Sequence, residues 1–409
     1  MSSPFPSARI EFIALIASVM MIVAFAIDAM LPALPEIGAN LGGVVENRRS
    51  LVIVVFLAGF GVAQLFVGAV SDRYGRRGLM LASLLGYAAC SLAAGAVHSF
   101  FWLLAARAAE GAAAAGARVV ASSVVRDRFA GREMAQVMSL ASMVFMAAPI
   151  LAPTLGTLIL AVAPWRWIFV ALAVLGGVLW IWVFFRLPES LAIENRRAIA
   201  AEQLLGGARI VVSDRASVGY SVGMTCMSCV VIGFLTSVQP IFADIFHHAE
   251  WLPGGFAVIA GSMAAASLVN SRIVMRWGMR RIGHTALIVF IVIAAIHAAV
   301  ALNGRETVVT FVVLQAAMMA CFALTTANFG AMAMENVGEV AGMASSLQGS
   351  FSTVISAIGG GLIGQSFNGT TLPLYEGVTL AGVVALMAIL VAERGRLFMA
   401  RHDAVLEAR

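Results

Sequence analysis

Lysine is missing from this sequence of 409 residues; all 26 basic residues are arginine. A phosphate-cradling P-loop needs its lysine, and a Schiff-base enzyme needs a lysine amine. The absence therefore argues against ATP-driven transport by this chain alone and against imine catalysis. Charge of either sign is scarce as well. Charged residues make up 11% of the chain, where a soluble domain carries about 25%. The four cysteines, Cys90, Cys226, Cys229 and Cys321, lie in apolar runs and imply no disulfide framework. Cys226 and Cys229 have metal-ligand spacing, but no second Cys or His pair accompanies them. A structural zinc site usually takes four ligands, so two small residues on one helix face is the simpler reading, and no metal is expected. No long basic soluble segment is present to serve a nucleic acid. The net charge of +5 reads instead as loops facing anionic lipid.

What the chain has in abundance is apolar residues, 61% of the total. This composition describes a polytopic helical membrane protein. The run Ile10–Ile27 is too long for the core of a typical signal peptide. It ends in Asp28 and Leu31-Pro32 rather than in a small-residue cleavage site, and so reads as a retained first membrane helix. A membrane helix needs about 20 apolar residues. Hydropathy marks six such spans near 10–31, 50–70, 78–98, 100–124, 134–161 and 166–186. A polar interval follows, then six more spans near 216–245, 252–272, 283–302, 307–332, 339–367 and 374–393. The expected organisation is a helix bundle over 1–186, a linker over 187–213, a second bundle over 214–393 and a tail over 394–409. Most arginines fall on one side of this topology, including Arg9, Arg126, Arg128, Arg132, Arg272, Arg394 and Arg401. Arg48, Arg49, Arg166 and Arg305 fall on the other. By the positive-inside rule, both termini and the linker face the cytoplasm.

The stretch Gly68-Ala-Val-Ser-Asp72-Arg73-Tyr74-Gly75-Arg76-Arg77 joins the second and third spans. A connection this short, with two glycines, should pack closely against its neighbours. Its pattern resembles the loop 2–3 signature of the major facilitator superfamily and matches it at every fixed position. The resemblance implies an all-α membrane fold with 12 helices in two pseudo-symmetric six-helix bundles. Arg276-Trp277-Gly278-Met279-Arg280 follows the eighth span as Arg73-Tyr74-Gly75-Arg76-Arg77 follows the second, with Met275 in place of Asp72 and Ser271 in place of Gly68. A weakened second copy is what a duplicated transporter shows. In the superfamily the aspartate of this signature, here Asp72, is thought to reach the start of helix 11, which suits that helix's positive end.

Charges inside apolar spans are costly, about 2.5–3.5 kcal/mol for a central Asp or Arg on insertion scales. They persist where they face a cavity or a partner. Asp28, Arg107, Glu110 and Arg118 are such residues. Arg107 and Glu110 are three apart on one helix face and could pair. Arg107-Ala-Ala-Glu110-Gly111 resembles the superfamily's helix 4 motif, which is associated with proton coupling. Glu110, standing where Gln is common, reads either as a second proton carrier or as the purely structural half of a neutral pair. Asp28 precedes Leu31-Pro32-Ala33-Leu34-Pro35, and this run resembles the helix 1 ending of drug:proton antiporters. A carboxyl in an apolar cavity resists ionisation and can hold a proton until water or a cationic ligand enters. The bland alternative is an acid at a helix end, in water.

Pro149, Pro153 and Gly156 lie in Ala148-Pro149-Ile150-Leu151-Ala152-Pro153-Thr154-Leu155-Gly156, which resembles the antiporter motif of helix 5. Alanine at 148 or 152 and Thr157 stand where that motif has further glycines. The Pro-x-x-x-Pro-x-x-Gly form is similar to the bicyclomycin-resistance-type (Bcr/CflA) group. Trp165-Arg166-Trp167-Ile168-Phe169, Leu187-Pro188-Glu189-Ser190 and Ala341-Gly342-Met343-Ala344-Ser345-Ser346 resemble the same group. Gln64, Arg118, Gln239 and Asn328 are candidate cavity residues; Ser122, Asn270, His297, Gln315 and Gln348 are further polar positions in spans. Any of these can serve only to bridge helices. Asp244, His247, His248 and Glu250 could bind a metal, but a solvated loop is the plainer reading.

The resemblance implies a multidrug efflux transporter of a bacterial inner membrane. It would exchange protons for amphipathic drug-like compounds, without a cofactor, as a monomer among lipids and with no nucleic-acid partner. Asp28, Arg107 and Glu110 would serve coupling. The Asp72 loop would latch the cytoplasmic side, and the prolines of helix 5 would seal its seam. A proton-coupled transporter dedicated to one metabolite, such as an amino acid, remains open. A transporter-like sensor and a membrane enzyme are weaker readings: long soluble extensions, and any spacing of nucleophile and base, are missing.

Overall fold

Apolar runs become helices in a bilayer because nothing there replaces backbone hydrogen bonds. The computed structural model describes residues 6–42, 44–129, 133–134, 136–138, 140–141, 147–192, 194, 196, 209–304, 306–337 and 341–398. Among them there is no strand. In the first half the long helices are α1 (Pro6–Asp28), α2 (Leu51–Tyr74), α3 (Arg76–Ala96), α4 (Phe100–Arg128), α5 (Ala148–Val162) and α6 (Arg166–Arg186). In the second they are α7 (Arg215–Pro240), α8 (Leu252–Trp277), α9 (Met279–Leu302), α10 (Val308–Met334), α11 (Ala341–Gln365) and α12 (Leu372–Ala392). Nine helices among the described residues are long and apolar enough to cross a membrane. The exceptions have physical reasons. Helix α4 carries Arg107, Glu110 and Arg118, the described part of α5 is 15 residues long, and α11 is diluted by serine and glycine.

The chain divides into two compact units, 1–201 and 202–409. In the first, α2 and α3 pack on α4, α3 also packs on α6, and α1 touches α4, α5 and α6. In the second, α7 packs on α10, α11 and α12, while α8 and α9 both lie on α10.

The motif between the second and third spans is less of a loop than its sequence suggests. Ser71–Tyr74 stay in α2, Arg76 opens α3, and Gly75 alone separates them. Gly75 has φ +99°, ψ 154°, and Gly278 between α8 and α9 has φ +77°, ψ 152°. A residue with a side chain resists this backbone, so one glycine both stops a helix and starts the next, once in each unit. The first helix ends at Asp28 and is followed by a 3₁₀ turn (Leu31–Ala33) and a short helix (Leu34–Asn40). Pro32 and Pro35 each sit in the opening turn of one of these, where a missing N–H costs nothing. At the end of α7, Pro240 is followed by a π-helical turn, Ile241–Ile245.

Candidate functional site

Asp28, the last residue of α1, is 5% exposed. Among the described residues its carboxyl has no hydrogen-bond or ionic partner. The backbone on either side of it is held. Ala26 O accepts a 2.9 Å hydrogen bond from Arg107 Nη2 of α4. A Cβ added to Gly156 of α5 would lie 2.3 Å from Ala29 O, so α5 meets α1 directly there. Pro153 is buried one turn before Gly156, and its carbonyl accepts from Thr157 Oγ1 at 3.0 Å. Pro149 lies in the first turn of α5; its side chain is outside the described residues. The result is a buried acid on a braced helix end, able to exchange a proton or face a cation.

Arg107 and Glu110 are both 0% exposed and pair at 2.8 Å. Arg107 Nε also donates to Val52 O of α2 at 3.1 Å, and the second oxygen of Glu110 accepts from Ser91 Oγ of α3 at 2.8 Å. The guanidinium lies 4.4 Å from the Phe56 ring centroid and 5.9 Å from that of Phe169. Each guanidinium nitrogen and each carboxylate oxygen therefore has a partner, and five helices meet at the pair. Glycine makes this approach feasible. A Cβ on Gly59 would come within 2.1 Å of Ala108 O, and one on Gly111 within 1.9 Å of Phe56 O. Of the interactions the two readings of Glu110 call for, the geometry shows the ion pair with Arg107 and a hydrogen bond from Ser91. Arg118 lies about three turns further along α4 and is half-buried.

The Arg-rich turn is organised by two acids that sequence reasoning did not assign to it. Glu189 accepts from the backbone N–H of Arg76 at 2.8 Å and of Arg77 at 3.2 Å, capping α3. An acid here suits the positive end of the helix. Arg76 pairs with Asp72 at 2.5 Å and with Asp127 at 3.0 Å, and Ser190 Oγ donates to Asp127 at 2.9 Å. Arg77 Nη2 donates to Phe184 O at 2.7 Å, and Arg73 lies over the Tyr74 ring. A Cβ on Gly75 would meet Glu189 Oε2 at 2.6 Å. Gly68 differs from the expectation for this stretch: a Cβ there would meet nothing within 4 Å, because the chain is still mid-helix and faces open space.

The second unit repeats the arrangement with a shift. Arg280 pairs with Glu335 at 2.9 Å and Glu393 at 3.0 Å. Glu393 also accepts from Tyr220 Oη at 2.5 Å, and Tyr220 reaches His284 Nε2 at 3.0 Å. Sequence alignment matches Arg280 to Arg77, yet it takes the central place that Arg76 holds in the first unit. Met275, in the place of Asp72, is 89% exposed.

The remaining candidates scatter. Asn328 Nδ2 bridges α10 to Asn270 of α8 at 2.8 Å. Gln239 is buried near the end of α7, and Gln64 Oε1 is buried without a partner among the described residues. Gln348 meets Met224 Sδ at 3.0 Å. His297 is fully buried on Glu306 at 2.6 Å and stacks on Tyr375, with centroids 3.6 Å apart. Glu306 also accepts from Thr371 Oγ1. His248 pairs with Glu250 at 2.8 Å on the surface. No trio of His, Cys, Asp or Glu among the described residues is placed to hold a metal ion.

Comparison with known proteins adds four findings. The sequence profile described as Major Facilitator Superfamily matches residues 16–360. The chain is 28% identical over 367 residues to the Bacillus subtilis uncharacterised MFS-type transporter YdgK, covering 88% of this chain and 90% of that one. It is 25% identical over 387 residues to the Haemophilus influenzae bicyclomycin resistance protein homolog, covering 92% and 94%. Among solved structures, the Escherichia coli xylose transporter XylE in a partially occluded inward-open conformation has the same fold. Its TM-score is 0.72 at 10% identity, over 93% of this chain and 97% of that one.

Proposed function

This chain belongs to the major facilitator superfamily and is a multi-pass membrane transporter of small molecules, not an enzyme; from that premise we propose that it exports amphipathic, drug-like compounds in exchange for protons by alternating access. The observation that carries the reading is Asp28, a buried carboxyl without a described partner at the end of a braced helix. Such a group is expensive to keep unless it works. Asp28 binds the proton in one step and yields it when a compound enters. Arg107 and Glu110 hold the ends of α1 and α2 in register rather than carrying the proton themselves. Asp72, Arg73, Arg76 and Arg77 latch the cytoplasmic side, and Pro149, Pro153 and Gly156 keep the α1–α5 seam closed to leak. The proton gradient drives the cycle without a cofactor, in a bacterial inner membrane, with a monomer as the working unit and both termini cytoplasmic. The name of the Haemophilus relative, bicyclomycin resistance protein homolog, supports a drug-like substrate.

Everted membrane vesicles with an acid lumen test the proposal. Adding cationic and neutral amphipathic compounds should raise lumen pH as each compound is taken up, in the wild type and not in Asp28→Asn. Alkalinisation that survives in Asp28→Asn would remove Asp28 from the coupling step. A response confined to one polar metabolite would favour the dedicated transporter.

A further inference from the structure

Helices α8 and α9 both lie on α10 but touch each other only lightly. This leaves a groove between them of about 580 Å³. Its floor is Cys321 and Leu324 of α10, and its walls are apolar apart from Thr285 and Arg281. It follows α9 from Arg281 to Val289, about 12 Å at 1.5 Å per residue. Trp277, 64% exposed, and Phe398 stand at its mouth beside Arg281.

The charge at the mouth is the informative part. Arg276, Arg280, Arg281, Arg394 and Arg396 lie at this end of the unit, as does Arg215, which donates to Val391 O. Of the described acids at this end, Glu335 and Glu393 are taken up by Arg280, and Asp214 caps α7 and accepts from Asn336. Arg281 has no hydrogen-bond or ionic partner among the described residues and is exposed. The position matching it in the first unit is Gly78, so the repeat did not supply this residue. An unpaired arginine at the rim and a tryptophan at the same level, over an apolar slot facing outward from α10, complement one chemistry: an anionic headgroup above an acyl chain. Tryptophan favours the membrane–water interface, and basic pockets between membrane helices take anionic headgroups.

We infer that the groove between α8 and α9 is a binding site for an anionic phospholipid, with Arg281 on the phosphate and the acyl chain along Thr285, Ala286, Val289 and Leu324. The site lies within the second unit and is independent of the transport reading.

Native mass spectrometry of the full chain, delipidated and titrated with phosphatidylglycerol or phosphatidylcholine, tests this. The wild type should retain one phosphatidylglycerol in preference to phosphatidylcholine. Arg281→Gln should reduce that preference about tenfold, the effect of losing one charge-assisted hydrogen bond. Thr285→Trp, which fills the slot and keeps the charge, should reduce retention of both lipids. Arg276→Gln, at the same end but outside the groove, should match the wild type. Unchanged preference in Arg281→Gln, or unchanged retention in Thr285→Trp, would overturn the assignment. So would a dimer mass that forms regardless of lipid, or displacement by a neutral amphipathic compound with no dependence on headgroup.

Discussion

Gly111→Ala should damage the first unit more than its single added methyl suggests. The new Cβ would stand 1.9 Å from Phe56 O, where ordinary contact begins at 3.4 Å. The obstacle is backbone, so no side chain can swing aside, and α2 and α4 must part by about 1.5 Å, the shortfall between those distances. The hydrogen bond from Arg107 Nε to Val52 O, now 3.1 Å, crosses the same seam and would break. Overpacking costs about 1–3 kcal/mol, and losing a charge-assisted hydrogen bond about 1.5–3 kcal/mol more. The expected loss is therefore about 2.5–6 kcal/mol, which for a unit of this size lowers the melting temperature by at least about 5 °C. The assay is size-exclusion chromatography of detergent-solubilised protein after graded heating. Gly78→Ala is the control: a Cβ there meets nothing within 4 Å, and alanine favours helix over glycine by about 1 kcal/mol. If Gly111→Ala melts with the wild type, or if Gly78→Ala is equally damaging, the close α2–α4 seam is not what holds Arg107 in place.

Two further outcomes follow from the same geometry. Removing either Arg107 or Glu110 alone leaves a buried charge unpaired and should cost about 3–5 kcal/mol, whereas the double change Arg107→Met with Glu110→Met should cost markedly less; heat-challenge melts of the three variants read the coupling directly, and additive losses would contradict a neutralised pair. Glu189→Ala should speed hydrogen exchange at the amides of Arg76 and Arg77, with Glu189→Gln intermediate, since those two N–H groups lose their acceptor; unchanged exchange would mean that the cap contributes nothing.

Hydropathy made most of the fold legible, because a membrane helix is specified by a run of apolar residues and little else. It weakened where polar residues interrupt the apolar run. The charges of α4 and the serines and glycines of α11 lower the very signal that identifies a span. At the site, Arg107 and Glu110 could be paired from their spacing, since i and i+3 share a helix face. The partners of the Arg-rich turn could not. Glu189 lies 113 residues from Arg76 and Asp127 lies 51, and no local pattern links positions so far apart. Glu189 stood within a quoted motif, Leu187-Pro188-Glu189-Ser190, but its carboxylate had no visible destination. Arg280 shows the same limit: alignment assigned it to Arg77, and only the placement of Glu335 and Glu393 shows that it fills the place of Arg76. Burial of the Asp28 carboxyl was the other unknown, because a helix-end acid in water and one among packed helices read identically in sequence.

The central claim is that Asp28 gives up a proton when a compound binds. Purified protein in weakly buffered detergent solution near neutral pH, titrated with a compound that the wild type binds, tests this without a membrane gradient. The account predicts acidification in step with binding for the wild type, and binding without acidification for Asp28→Asn. Proton release of equal size in Asp28→Asn, or binding to the wild type with no release at any pH, would contradict it.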